Sequence, residues 1–323
     1  FFFQPEHGIR HFCLSRGLGD VYKRQSVHIL TYNSERYIKD ALDSVLKQKT
    51  NFPIEIIVGD DASIDSTFEI LKSYSDKHSF IKLKQNKQNL GILKNFKETL
   101  DRCSGEYVFD LAGDDWIHNL NALQKMVDKL DQNPNLGFID SGYDAFFQYR
   151  NQTKRFYNKK NLNASTYKDH VQTIGSPTLG CCFRRSALKK FVDFNFYIKK
   201  GFKIEDYPIL ADLTENSSFD FIHESLVTYR VHQASYSSNF HDFLDLKMFF
   251  AKKYGYSKDA ILKITENYFE TKLVYSSVHF NPKEGEIAFK NLSQKRFIYY
   301  VYYLSSQHKL AHKALKALRN FRL

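Results

Sequence analysis

From Ser26 onward the chain alternates short apolar runs with amphipathic stretches. Val27 to Leu30, Ile54 to Val58, Ile81 to Leu83, Tyr107 to Leu111 and Leu136 to Ile139 have strand length and β-branched or aromatic content. Helical periodicity fills the gaps. Ile38, Ala41, Leu42, Val45 and Leu46 fall at i, i+3, i+4, i+7 and i+8, one face of a helix opened by Asn33 or Ser34. Ser66 and Glu69 have capping-box spacing ahead of Ile70, Leu71 and Tyr74. Leu93, Phe96, Leu100 and Cys103 form a third stripe, and Leu123, Met126, Val127 and Leu130 a fourth, stopped by Pro134. This alternation predicts an α/β domain whose mixed, mostly parallel sheet is covered by helices on both faces. Such sheets bind ligands beyond the carboxyl ends of their strands.

The residues at those ends are polar and acidic. The first strand runs into Thr31-Tyr32-Asn33 with Glu35 close behind, the second into Asp60-Asp61-Ala62-Ser63, and the strand from Tyr107 into Gly113-Asp114-Asp115-Trp116. A dinucleotide fold needs G-x-G-x-x-G after the first strand, and TYNSER is not that, so a dehydrogenase is excluded. Carboxylates at strand ends suit a hard divalent cation that bridges to phosphates, or hydrogen bonds from a base or ribose. An Asp after a strand also serves as a plain helix cap, and Asp65 or Ser66 has that place here.

VHILTYNSERYI, IEIIVGDDASIDST, NLGILKNF and GEYVFDLAGDDW, followed by SPTLGCCFRRSAL, FKIEDYPIL and YRVHQASYSS, resemble in order and spacing the family 2 glycosyltransferases of GT-A fold. The resemblance spans about residues 26–240. It implies an inverting enzyme that moves a sugar from a nucleotide diphosphate sugar, a UDP-sugar, to a glycan or lipid-linked acceptor in envelope polysaccharide synthesis. By the same resemblance Thr31, Asn33, Glu35 and Asp61 line the nucleotide pocket, and Lys94 and Arg230 approach the diphosphate. Asp114 and His232 would hold Mn²⁺ or Mg²⁺, and Asp206 would be the catalytic base. The first acid of the family's D-x-D motif is replaced by Ala112, and Asp110, two residues earlier, is one repeat out of place. The other readings are an inactive glycan-binding scaffold of the same fold and a basic nucleic-acid-binding protein.

Charge separates the two ends of the chain. Residues from 241 carry 15 Lys and Arg against 7 Asp and Glu, whereas the first 240 have a net charge of only +3. The basic character therefore belongs to the C-terminal part, and no nucleic-acid reader motif accompanies it. Lys309 to Leu323 sets Leu310, Ala314, Ala317, Leu318 and Phe321 opposite Lys309, Lys313, Lys316, Arg319 and Arg322. With no acid from Lys295 to the end, residues 295–323 are expected to touch anionic membrane. Four cysteines at no framework spacing, and no apolar run near the ~20 residues of a membrane span, predict a cytoplasmic protein, peripheral at the inner membrane face. The expected organisation is a non-native or disordered leader over residues 1–25, a catalytic domain over 26–240 and a basic helical extension over 241–323. In the leader, LSRGLGDVYKRQ resembles translated adaptor sequence.

Overall fold

The computed structural model describes residues 24–155, 163–232 and 242–322, with 317–322 by backbone alone. Almost all of the expected leader, and the part of YRVHQASYSS after His232, lie outside the described residues. The chain divides into two compact units, one drawn from residues 24–167 and 176–232, the other from 168–175 and 242–322.

The first unit opens with β1 (Gln25–Thr31), α1 (Ile38–Leu46), β2 (Ile54–Asp60), α2 (Thr67–Lys77), β3 (Ile81–Gln85), α3 (Ile92–Leu100) and β4 (Tyr107–Ala112). These are the predicted strands and helices, each within a few residues. There follow β5 (Trp116–Ile117), α4 (Ala122–Gln132), β6 (Leu136–Phe147), β7 (Gln152–Arg155), α5 (Ala164–Thr173, of which the residues from Lys168 belong to the second unit), β8 (Cys182–Arg184), α6 (Arg185–Phe191), α7 (Phe194–Lys199), α8 (Asp206–Asn216) and β9 (Ser218–Val231). The sheet order is β3-β2-β1-β4-β8-β6-β9-β5, with β7 on β6. The β3-β2-β1-β4 half is parallel; β8 and β5 run antiparallel to their neighbours, and β9 parallel to β6.

β1, β2 and β4 are buried on both faces, which is why they read as apolar runs, whereas the edge strand β3 is largely exposed. Val27, Ile29, Ile56, Val58, Phe109 and Leu111 pack with Ile38, Leu42 and Val45 of α1 and with Leu123 and Met126 of α4. Each such side chain contributes about 1.5–3 kcal/mol of burial. On the opposite face stand His28 and Asp110, paired in register across β1 and β4 and both buried.

Of the two residues expected to cap the second helix, the structure uses Asp65. The Ser66 side chain makes no capping bond to α2. Asp65 Oδ1 instead accepts from the Thr67 N–H at 3.0 Å, and Glu35 Oε2 accepts from the Ser66 N–H at 3.0 Å. A carboxylate from a neighbouring loop satisfies the first turn better than a local hydroxyl, because it also favours the helix dipole. Likewise α1 starts after Tyr37, with the Ser34 carbonyl accepting from the Tyr37 and Ile38 N–H groups.

The second unit contains α9 (Leu244–Tyr254), α10 (Lys258–Val278), α11 (Pro282–Asn291), α12 (Phe297–Gln307) and α13 (Lys309–Arg322). Ser257 caps α10 and Asn281 caps α11, while Gly255, at φ 63°, ends α9 in the left-handed conformation that glycine tolerates. Leu273, Ala288, Leu292 and Tyr299 form its small core. No helix among the described residues is long and apolar enough to cross a membrane.

Candidate active site

The polar strand ends of the first unit converge into three connected groups. The loops after β1 and β2 are stitched together. Asn33, at φ 50°, donates its N–H to Ser63 Oγ at 2.9 Å and accepts from the Ile64 N–H at 2.9 Å. The Glu35 N–H donates to Asp65 Oδ2 at 3.2 Å. Asp61 is buried, and its carboxylate accepts from Asn86 Nδ2, the Leu90 N–H and the Gly91 N–H at 2.8–2.9 Å. It therefore shapes the loop that delivers α3, whose first turn carries the exposed Lys94. Thr31 is buried at the end of β1, and its hydroxyl has no hydrogen-bond partner among the described residues.

The second group is the turn after β4. Asp114 Oδ2 lies 3.0 Å from His232 Nε2, a direct contact between two residues far apart in sequence. Arg230 is sunk beside them. Its Nε donates to the Asp114 carbonyl at 2.8 Å, Nη1 to Gln148 Oε1 at 2.9 Å and Nη2 to Asp40 Oδ2 at 2.7 Å. Its guanidinium carbon lies 4.5 Å from the ring centroid of Trp116 and 4.8 Å from that of Tyr37. All three nitrogens of Arg230 are thus engaged in holding the turn. The Arg230 N–H also donates to Asp115 Oδ1 at 2.7 Å. Burial and the neighbouring Asp114 push the Asp115 carboxyl well above the usual carboxylate range, with Arg230 opposing.

The third group surrounds Asp206, the first residue of α8. Asp206 Oδ1 accepts from the Thr178 N–H at 2.9 Å and faces Thr178 Oγ1 at 2.6 Å. Burial raises the Asp206 carboxyl and Asp110 adds to the rise, while the Thr178 hydrogen bonds pull the other way. Glu205, immediately before the helix, is raised well above its usual range by burial, then by Asp206 and Asp110. Its Oε2 is buried without a hydrogen-bond partner among the described residues. Asp206 keeps partial solvent access, as a group meeting an incoming hydroxyl must.

The family model for glycosyl transferase family 2 matches residues 26–192, just over half of the chain. The chain belongs to that family. Among relatives of this family 2 member, an uncharacterized glycosyltransferase of Methanocaldococcus jannaschii is 26% identical over 212 residues, covering 64% of this chain and 70% of its own. A cholesterol galactosyltransferase of Borreliella burgdorferi is 39% identical over 98 residues, covering 29% and 26%. An uncharacterized Mycobacterium tuberculosis protein is 37% identical over 110 residues, and the match spans about a third of each chain. Among solved structures, S. aureus TarS in complex with UDP-GlcNAc superposes with a TM-score of 0.57 at 18% identity, covering 88% of this chain and 79% of that one. The mannosyltransferase PcManGT of Pyrobaculum calidifontis, in complex with GDP-Man and Mn²⁺, gives 0.53 at 14% identity, covering 92% and 87%. The fold is GT-A.

A cation on a donor diphosphate fits the residues present in this family 2 chain. No cluster of three or more His, Cys, Asp or Glu that could hold a metal occurs among the described residues. An ion that takes phosphate oxygens needs only one or two protein ligands. Asp114 and His232 match that need, whereas Ala112 offers no donor and the Asp110 carboxylate is engaged by His28 and Thr178. Sequence reasoning passed over Thr178, His28, Asp115 and the Arg230 partners Asp40 and Gln148. Thr178 had a signal, the polar residue inside SPTLG. Asp40 and Gln148 had none, since only the tertiary fold brings them to Arg230.

Proposed function

We propose that this chain is an inverting glycosyltransferase that moves a sugar from a nucleotide diphosphate donor, a UDP-sugar, to a hydroxyl of a glycan or lipid-linked acceptor in envelope polysaccharide synthesis. The observation that carries the reading is Asp206, partly exposed at a helix start and oriented through one oxygen by Thr178. Among the described residues no hydrogen bond uses Asp206 Oδ2, so that oxygen is available to the acceptor hydroxyl. A base must be ionised to take that proton, and its raised affinity for protons matches the task better than an ordinary surface carboxylate would.

Asp114 and His232 would hold the cation, which when bound neutralises charge developing on the leaving diphosphate. Thr31, Asn33, Glu35 and Asp61 would line the nucleotide side, the first through its unpartnered hydroxyl. Lys94, exposed in the first turn of α3, would approach the diphosphate. Arg230 would act from behind, fixing the Asp114–Asp115 turn and adding positive potential near the leaving group. A single displacement with base and leaving group on opposite sides inverts the anomeric centre. The nucleotide assignment is supported by the fold shared with TarS, whose structure holds UDP-GlcNAc.

The working place we infer is the cytoplasmic face of the membrane, with residues 295–323 as the contact. Phe297, Ile298, Tyr300, Leu304 and Leu310 are exposed apolar side chains in that stretch, beside exposed Lys309, Lys313 and Lys316. An apolar face left open next to lysines favours an anionic lipid surface over internal packing. The test of the enzymatic reading is Asp206→Asn, which keeps size and shape but cannot take the proton. Turnover is expected to fall by roughly 10²–10⁴-fold with UDP binding in Mn²⁺ unchanged. Transfer undiminished by that substitution overturns the base assignment, and nucleotide-sugar binding without turnover by the wild type returns the scaffold reading.

A further inference from the structure

A buried chain of polar groups runs from the centre of the sheet to Asp206. His28, fully buried on β1, places Nε2 3.1 Å from the Phe96 carbonyl and Nδ1 2.9 Å from Asp110 Oδ1. Asp110 Oδ2 faces Thr178 Oγ1 at 2.8 Å, and the same hydroxyl faces Asp206 Oδ1 at 2.6 Å. Thr178 is itself buried, and the Asp110 N–H bonds weakly to the Cys181 carbonyl at 3.4 Å, tying the SPTLGC turn to β4. Buried polar side chains are costly without hydrogen-bond partners, and here each lies within hydrogen-bond distance of the next.

Counting protons shows why the chain acts as one device. The Phe96 carbonyl can only accept, so His28 Nε2 carries a hydrogen and Nδ1 is the atom that meets Asp110. The Thr178 hydroxyl has a single proton for two carboxyl oxygens. When it donates to Asp206 it has no proton left for Asp110, and meets that carboxylate only through its own lone pairs. Whether position 110 offers this hydroxyl an acceptor or a donor therefore bears on the contact that orients Asp206.

We propose that His28, Asp110 and Thr178 are positioning residues for Asp206, a relay that holds its carboxylate oriented while leaving Oδ2 to the acceptor. The proposal rests on the reading of Asp206 as base, but its test does not. The charged or titratable groups near Asp206 are Glu205 beside it on the α8 start and Asp110 from β4, behind which lie His28 on β1 and Asp115 in the β4–β5 turn. Thr178 donates to the charged form of Asp206, so losing its hydroxyl should make protonation easier. Asp110 repels that charge, and an Asn there also supplies a permanent N–H to Thr178, so Asp110→Asn should make protonation harder.

The experiment is a pH titration of the Asp206 carboxyl carbon by ¹³C NMR in the full chain, the resonance assigned by its disappearance in Asp206→Asn. Thr178→Val is expected to move the midpoint to higher pH and Asp110→Asn to lower pH, with Thr178→Ser returning the wild-type value. In turnover, Thr178→Val should lower kcat by roughly 10- to 10²-fold with donor KM unchanged, the cost of a misplaced catalytic group. Midpoints that stay put in both variants, or that move the same way, overturn the relay. If Thr178→Val does not fold, the downward shift in Asp110→Asn decides alone, and its absence counts against the proposal. Opposite shifts alongside an Asp206→Asn variant of full activity would sink the base assignment and leave the relay standing.

Discussion

Asp114 offers the sharpest residue-level test of donor binding. Its carboxylate meets His232 at 3.0 Å while its carbonyl is held by Arg230, so removing the side chain leaves the turn's main-chain support in place. Asp114→Ala should abolish Mn²⁺-dependent UDP binding in calorimetry without lowering the melting temperature by more than a few degrees. UDP affinity that stays normal and still requires Mn²⁺ would remove Asp114 from the cation site. The sequence pointed to this pair through the resemblance alone, since 118 positions separate the two. It could not foretell that Arg230 would be clamped between Trp116 and Tyr37, because its partners come from three other segments of the chain. The pH dependence also belongs to this scale. Burial first, then Asp110, raises Asp206, and in the proposed role of base it would act in its ionised form. The acid limb of turnover should therefore lie at a higher pH than an unperturbed aspartate would give, and a limb at or below that pH would argue against Asp206 as base.

At the scale of elements, the parallel half of the sheet and the start of β6 were legible, and the rest of the sheet was not. β1, β2 and β4 are buried on both faces, so their apolar runs announce themselves. β8 has only three residues, too few for any period to register. β9 pairs with β6 through register shifts around Ser141 and Gly142, which break the alternation that would have revealed it. The link between β4 and β5 carries a steric demand that is easily tested. A Cβ on Gly113 would stand 2.7 Å from the Thr31 side chain and 3.1 Å from the Leu30 carbonyl. Gly113→Ala should therefore destabilise the fold by about 1–3 kcal/mol in denaturant titration and weaken UDP binding, because the end of β1 and the Asp114 turn must part. An unchanged midpoint would show that the two strand ends can separate without cost.

For the whole molecule, the uneven charge and the open apolar residues of α12 and α13 have a physical consequence. Truncation after Gln307 should reduce binding to vesicles of anionic phospholipid at low salt while leaving UDP binding intact. Full-length protein that ignores such vesicles would make α13 a purely structural helix. Exposed Leu310 and Ala314 were foreseen as one face of that helix, but nothing in the sequence told whether the face would be covered. The account as a whole stands on one measurement: nucleotide release from a panel of UDP- and GDP-sugars in Mn²⁺, by wild type and by Asp206→Asn, with UDP affinity measured in parallel. It predicts release by the wild type from at least one UDP-sugar, and roughly 10²–10⁴-fold slower release by Asp206→Asn at equal UDP affinity. Equal rates from the two proteins would contradict it.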